Sequence, residues 1–83
     1  MITILFFASF REQLDTESEQ MEMQGLTDVG SVISMLRGRG DVWGRVFAEG
    51  QTVMVAVNQE MTEESAAIKD GDEIAFFPPV TGG

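Results

Sequence analysis

Two apolar runs, "ITILFF" at residues 2–7 and "EIAFF" at 73–77, stand at opposite ends of an 83-residue chain. Each alternates with the period of a strand. Ile2, Ile4 and Phe6 share one side and Thr3, Leu5 and Phe7 the other, while Ile74 and Phe76 oppose Ala75 and Phe77. Both runs are apolar on both sides, which suits the middle of a sheet better than its edge. The sequence therefore predicts that the first and last strands are neighbours at the sheet centre. Thr3 marks its side as the wetter one, so Ile2, Ile4 and Phe6 are expected to face the core. A chain of this length holds one core and one domain, and everything between the two runs must wrap around that pair.

The intervening residues supply the wrapping. Residues 11–18, "REQLDTES", read as a polar connection with a helical turn around Leu14. "EQMEMQ" places Met21 and Met23 on one side and Glu22 on the other, as in a half-exposed strand paired with the first, and Gly25 closes it. Thr27 as a capping hydroxyl and Asp28 in the first turn open a helix. Its apolar stripe is Val29, Val32, Ile33 and Leu36, at i, i+3, i+4 and i+7. Arg37 and Arg39 suit its C-terminal end, Gly38 and Gly40 stop it, and Gly30 is a weak point in its first turn. A second short helix from Asp41 turns Trp43, Val46 and Phe47 inward.

"TVMVAVN" is a third strand, "QEMTEESAAI" reads as irregular, and Asp70-Gly71 makes a tight turn before the last strand. Pro78 and Pro79 lack the N–H that a ladder needs, so pairing ends there. The order β-β-α-(α)-β-β predicts an α+β fold of the β-grasp type. A mixed sheet of four to five strands would pack on one main helix plus a short second one. Residues 1–79 form the domain in this reading, and 80–83 a flexible C-terminal tail.

Composition closes off most chemistry. The chain has neither Cys nor His, which removes disulfides, thiol nucleophiles, the commonest general base and nearly every transition-metal site. No metal is expected. Its serines have no histidine to activate them, "RGRG" ends a helix rather than opening a phosphate loop, and Glu63-Glu64 reads as a solvated face. Fourteen acidic residues against five basic ones give a formal net charge of −9, which repels nucleic acid and anionic lipid. The start lacks the basic region and cleavage site of a signal peptide. With a strand beginning at Met1 there is no room for a leader, and a cytoplasmic protein is expected.

What remains is the end, "PPVTGG". Pro78 and Pro79 stiffen the exit from the last strand toward an extended form, and then side-chain bulk falls to nothing across Val80, Thr81, Gly82 and Gly83. Four residues reach about 13 Å. A tail ending in two glycines fits a narrow channel and can present its α-carboxylate to another protein's active site. Such a carboxylate, activated as an acyl adenylate, accepts a nucleophile such as sulfide.

"LFFASFRE", "AVN" and "DGDEIAFFPPVTGG", at their spacing along the whole chain, resemble the small subunit of molybdopterin synthase. The resemblance implies a ubiquitin-like β-grasp fold and a sulfur-carrier role. An E1-like adenylating enzyme would use ATP on Gly83, with no cofactor bound to the chain itself, and sulfur would convert the adenylate to a thiocarboxylate. Residues 78–83 would then enter the large synthase subunit of a heterotetramer. Two such transfers would turn cyclic pyranopterin monophosphate into the dithiolene of molybdopterin, with the catalytic lysines on the large subunit. The resemblance also implies that Phe7, Met61 and Phe77 pack on the large subunit, with a polar contact from Arg11. Two other readings share the Gly-Gly end, a thiamin-pathway sulfur carrier and a ubiquitin-like protein modifier. The double proline speaks against the first. A purely structural interaction module, indifferent to loss of its last two residues, is a further alternative.

Overall fold

The computed structural model of the chain describes residues 1–79; the expectations for Val80, Thr81, Gly82 and Gly83 lie outside them. The elements run β1 (Ile2–Phe6), α1 (Ala8–Leu14), β2 (Ser18–Met21), α2 (Val29–Arg37), α3 (Asp41–Val46), β3 (Met54–Val57), β4 (Glu60–Thr62) and β5 (Glu73–Phe77). The strands make one mixed sheet in the order β2-β1-β5-β3-β4. β1 and β5 are its parallel central pair, with Ile4 beside Ile74 and Phe6 beside Phe76. The other neighbours are antiparallel. This is the β-grasp arrangement predicted from the two apolar runs.

Alternation then divides the sheet. Ile2, Ile4, Phe6, Val55, Ile74 and Phe76 are buried together with Val29, Val32, Ile33 and Leu36 of α2. Three fully buried rings bind this core: Phe47 meets Phe76 edge-on at 5.3 Å, and Phe6 lies 6.3 Å from Phe76. Such pairs add to the free energy of burial itself. Trp43 of α3 packs edge-on against Phe6 at 5.4 Å, in keeping with the inward stripe expected of that helix. Arg39 does more than favour a helix end. Its guanidinium lies 4.6 Å over the Trp43 ring and makes a two-pronged ion pair with Glu19, tying the helix layer to β2.

Three local expectations are corrected. The segment read as a polar connection carries a two-turn helix, α1, that starts before it. Phe10 and Leu14, four residues apart, are both buried, and Phe10 precedes the polar stretch, so the stretch alone carries only one of the two anchors. The α2 cap is Asp28 rather than Thr27. Asp28 Oδ1 accepts the Ser31 N–H at 2.8 Å, and Ser31 Oγ accepts the Asp28 N–H at 3.2 Å, closing a capping box. Gly30, the weak point of the first turn, also has a tertiary partner. Its N–H donates to the Glu64 carbonyl at 2.9 Å, and a Cβ there would stand 3.4 Å from that oxygen. Within the supposedly irregular "QEMTEESAAI", residues 60–62 form β4. Asn58 and Gln59 both have positive φ, 51° and 70°, the conformation of a two-residue hairpin turn. A three-residue strand with one apolar side chain shows no alternation to detect.

No helix among the described residues is long and apolar enough to cross a membrane.

Candidate functional site

The other side of the sheet carries the candidate site. Leu5 lies beside Ala75, Ala75 beside Ala56, and Ala56 beside Met61, a row that crosses four strands. Phe77 and Met54 form the next row. Two alanines at the centre make a shallow floor between larger side chains. Phe7 is 45% exposed and Met61 57% exposed, while Leu5, Met54 and Phe77 are half-buried. Large apolar groups grouped outside a core mark an interaction surface.

The backbone fixes Phe7 in this position. Its φ of −122° and ψ of 159° extend β1 by one residue, so its side chain falls opposite Phe6. Its N–H donates to the Phe76 carbonyl at 3.1 Å, and its own carbonyl accepts from Phe10 at 3.2 Å. Ala8 then takes a φ of 54°, a left-handed turn that costs about 1 kcal/mol for a non-glycine residue. That turn swings the chain into α1 and ends the strand at Phe7. Arg11 lies one helical turn further on, exposed and in no ion pair among the described residues. Phe7, Met61 and Phe77 thus share one side of the sheet, and Arg11 stands on the helix that follows Phe7.

The exit of the chain borders the same surface. β5 is central, so its end is held from both sides through Phe76 and Phe77. Pro78 is half-buried and Pro79 exposed; with them the ladder stops. The tail residues 80–83 and the terminal carboxylate of Gly83 lie beyond.

Behind Met61, a polar clamp fixes the β3–β4 turn to the start of β5. Asn58 Nδ2 donates to Asp72 Oδ1 at 2.9 Å, and the Lys69 N–H donates to Oδ2 at 2.9 Å. The Glu73 N–H in turn donates to Asn58 Oδ1 at 3.0 Å. Asp72 is the one buried charged residue among those described. Its hydrogen bond from Asn58, and then that from the Lys69 backbone, hold its carboxyl below the ordinary value of 3.8. The clamp orients the edge hairpin that carries Met61. No group of three or more acidic side chains among the described residues could hold a metal ion.

Sequence alternation identified Phe7 and Phe77. It places Leu5 on the same side as Phe7 but leaves out Met54 and Ala56, because only the register across the strands brings them to this surface. The Asn58–Asp72 clamp also went unread. Asn58 standing at a strand end before "DGDE" was its one available signal.

Comparison with known proteins agrees with this architecture. The ThiS family profile matches residues 4–83. The molybdopterin synthase sulfur carrier subunit of Haemophilus influenzae is 42% identical over 83 residues, spanning the whole of both chains. That of Mycobacterium tuberculosis is 39% identical over 99% of this chain and 96% of its own. Among solved structures, SAMP1 from Haloferax volcanii superposes with a TM-score of 0.78 at 30% identity, covering 99% of this chain and 98% of that one. The chain belongs to the ThiS family, and along its whole length it is similar to molybdopterin synthase sulfur carrier subunits.

Proposed function

We propose that the chain carries sulfur on its C-terminal carboxylate as the small subunit of a molybdopterin synthase. The observation that carries this reading is the junction of an exposed apolar sheet surface with a Pro-Pro exit and a Gly-Gly end. One part is suited to docking and the other to delivery. In the first step an E1-like adenylating enzyme joins the Gly83 carboxylate to the α-phosphorus of ATP and releases pyrophosphate. A sulfur nucleophile then attacks the acyl carbon, AMP leaves with the former carboxylate oxygen, and a thiocarboxylate remains. The outer sheet surface docks on the large synthase subunit, with Phe7, Met61 and Phe77 as its apolar anchors and Arg11 at the rim. Residues 78–83 enter the active site, where two successive sulfur transfers complete the dithiolene. The chain supplies sulfur and position, and the large subunit supplies the catalytic side chains. The acidic surface favours partners with basic rims.

The likeness to SAMP1, a small archaeal modifier protein, supports a second reading, in which Gly83 is joined to lysines of other proteins. Incubation with ATP, activating enzyme and lysate separates the two, since a modifier gives higher-mass conjugates and a carrier gives a thiocarboxylate.

Reconstitution tests the first reading. Thiocarboxylated chain, large subunit and cyclic pyranopterin monophosphate should yield molybdopterin. Gly82→Val should slow this by blocking channel entry while leaving folding intact. Deletion of Gly83 should cost more, about a hundredfold, because it displaces the reacting carbon. Wild-type product formation by either variant contradicts the delivery role of the tail.

A further inference from the structure

With six methionines and no cysteine, thioethers are the only sulfur side chains this protein exposes to oxidants. Their settings differ. Met21, Met23 and Met35 are partly buried against the core, and Met54 is half-buried. Met1 and Met61 are more than half exposed, at 59% and 57%. Of these two, Met61 belongs to the outer sheet surface, opposite Ala56, whose methyl group gives it little cover. A cleft of about 510 Å³ between β4 and Ile68–Lys69 is lined in part by Met61.

We propose that Met61 is a reversible oxidation site that controls docking on the outer surface; this rests on the docking reading above. The oxidant is a hydroperoxide. A sulfur lone pair attacks the peroxide oxygen, the O–O bond breaks, a sulfur–oxygen bond forms, and water or an alcohol leaves. Sulfur loses two electrons and the peroxide gains them. A thiol-dependent methionine sulfoxide reductase returns the electrons and releases the oxygen as water. The consequence is local. A flexible apolar side chain becomes a strong hydrogen-bond acceptor within an otherwise apolar patch, and burying it against an apolar partner surface leaves it unsatisfied. Met1, beside the Asp70 turn, lies off the Leu5–Met61 row and provides an internal comparison.

The test uses the carboxylate form of the full chain, so that no thiocarboxylate is consumed by peroxide. Graded hydrogen peroxide is followed by affinity for the large subunit and by site-resolved sulfoxide in tryptic peptides. Met61 and Met54 share the peptide Val46–Lys69 and are separated by fragmentation. Met61 should oxidise well ahead of Met54, Met21, Met23 and Met35. Affinity should fall at least about tenfold in step with Met61 rather than Met1, and reductase should restore it. Met61→Leu, measured against its own untreated affinity, should not respond to peroxide. Unchanged affinity after complete Met61 oxidation overturns the proposal, as does a wild-type peroxide response in Met61→Leu, and either leaves the docking reading standing. If the untreated chain fails to bind the large subunit, the docking reading falls and this proposal falls with it.

Discussion

The two sides of the β1–β5 pair are built from alternate residues of the same strands, yet they serve different ends. Ile4, Phe6, Ile74 and Phe76 are almost wholly buried beneath the helices. One residue along, Phe7 keeps 45% of its surface open and Phe77 is only half covered. Hydrophobicity alone therefore does not say what a residue is for. On the helix side it stabilises the fold, and on the outer side it stays open, as the proposed docking role requires. A small domain gains little margin from its single core, so an apolar side left open is a substantial concession.

The strongest way to break this contrast is to truncate the covered side. Phe76→Ala should destabilise the domain by about 3–5 kcal/mol, because it removes a buried ring packed between Phe6 and Phe47. Chemical denaturation monitored by circular dichroism measures this. A loss below about 1 kcal/mol would mean that the two sides do not differ as described.

A smaller effect is expected from the clamp between them. Asp72→Asn should cost about 1–3 kcal/mol, since the amide places a donor against either Asn58 Nδ2 or the Lys69 N–H. Its pH dependence has a definite sign. The folded carboxyl titrates below its unfolded value of 3.8, so the ionised form is favoured by folding. Its contribution is complete above that value and disappears as pH falls through the lower, folded pKa. The stability gap between wild type and Asp72→Asn should be flat from pH 7 to about pH 5 and narrow only under more acidic conditions. A gap that widens on acidification would reverse the assignment.

The smallest effect on stability belongs to the open side. Phe7→Arg should change stability by no more than about 0.5 kcal/mol, as surface substitutions do. Its affinity for the large subunit should nonetheless drop more than about thirtyfold, the loss expected of an interface anchor. A collapsed melt would place Phe7 in the core and abolish the contrast.

The same contrast explains how much could be read beforehand. β1, β5 and α2 were legible because each repeats its period over several residues, as Val29, Val32, Ile33 and Leu36 do. The inward turn of Trp43 and Phe47 was legible for the same reason. β4 was not, since three residues with one apolar side chain carry no period, and its turn uses Asn58 and Gln59 rather than glycine. α1 was legible only as a turn around Leu14, because its two anchors, Phe10 and Leu14, straddle the boundary of a polar stretch. The Arg39–Glu19 pair spans two elements joined only by tertiary packing, so no local pattern announces it. At the candidate site, alternation alone exposed Phe7 and Phe77. The row from Leu5 to Met61 needs the register of four strands, which a sequence does not contain.

Sulfur on the C-terminus is the central claim, and one measurement addresses it directly. The chain is incubated with the adenylating enzyme, ATP and a sulfide source, then digested with trypsin. Intact mass would mislead, because sulfoxide formation at any of six methionines adds nearly the same mass as exchanging oxygen for sulfur. Lys69 is the last basic residue, so the final peptide is Asp70–Gly83, which contains neither Met nor Cys. The sulfur-for-oxygen mass gain should appear in this peptide, depend on ATP, and vanish when Gly83 is deleted. An unshifted Asp70–Gly83 under a demonstrably active enzyme, with any gain confined to the methionine-bearing peptides, would contradict the sulfur-carrier account.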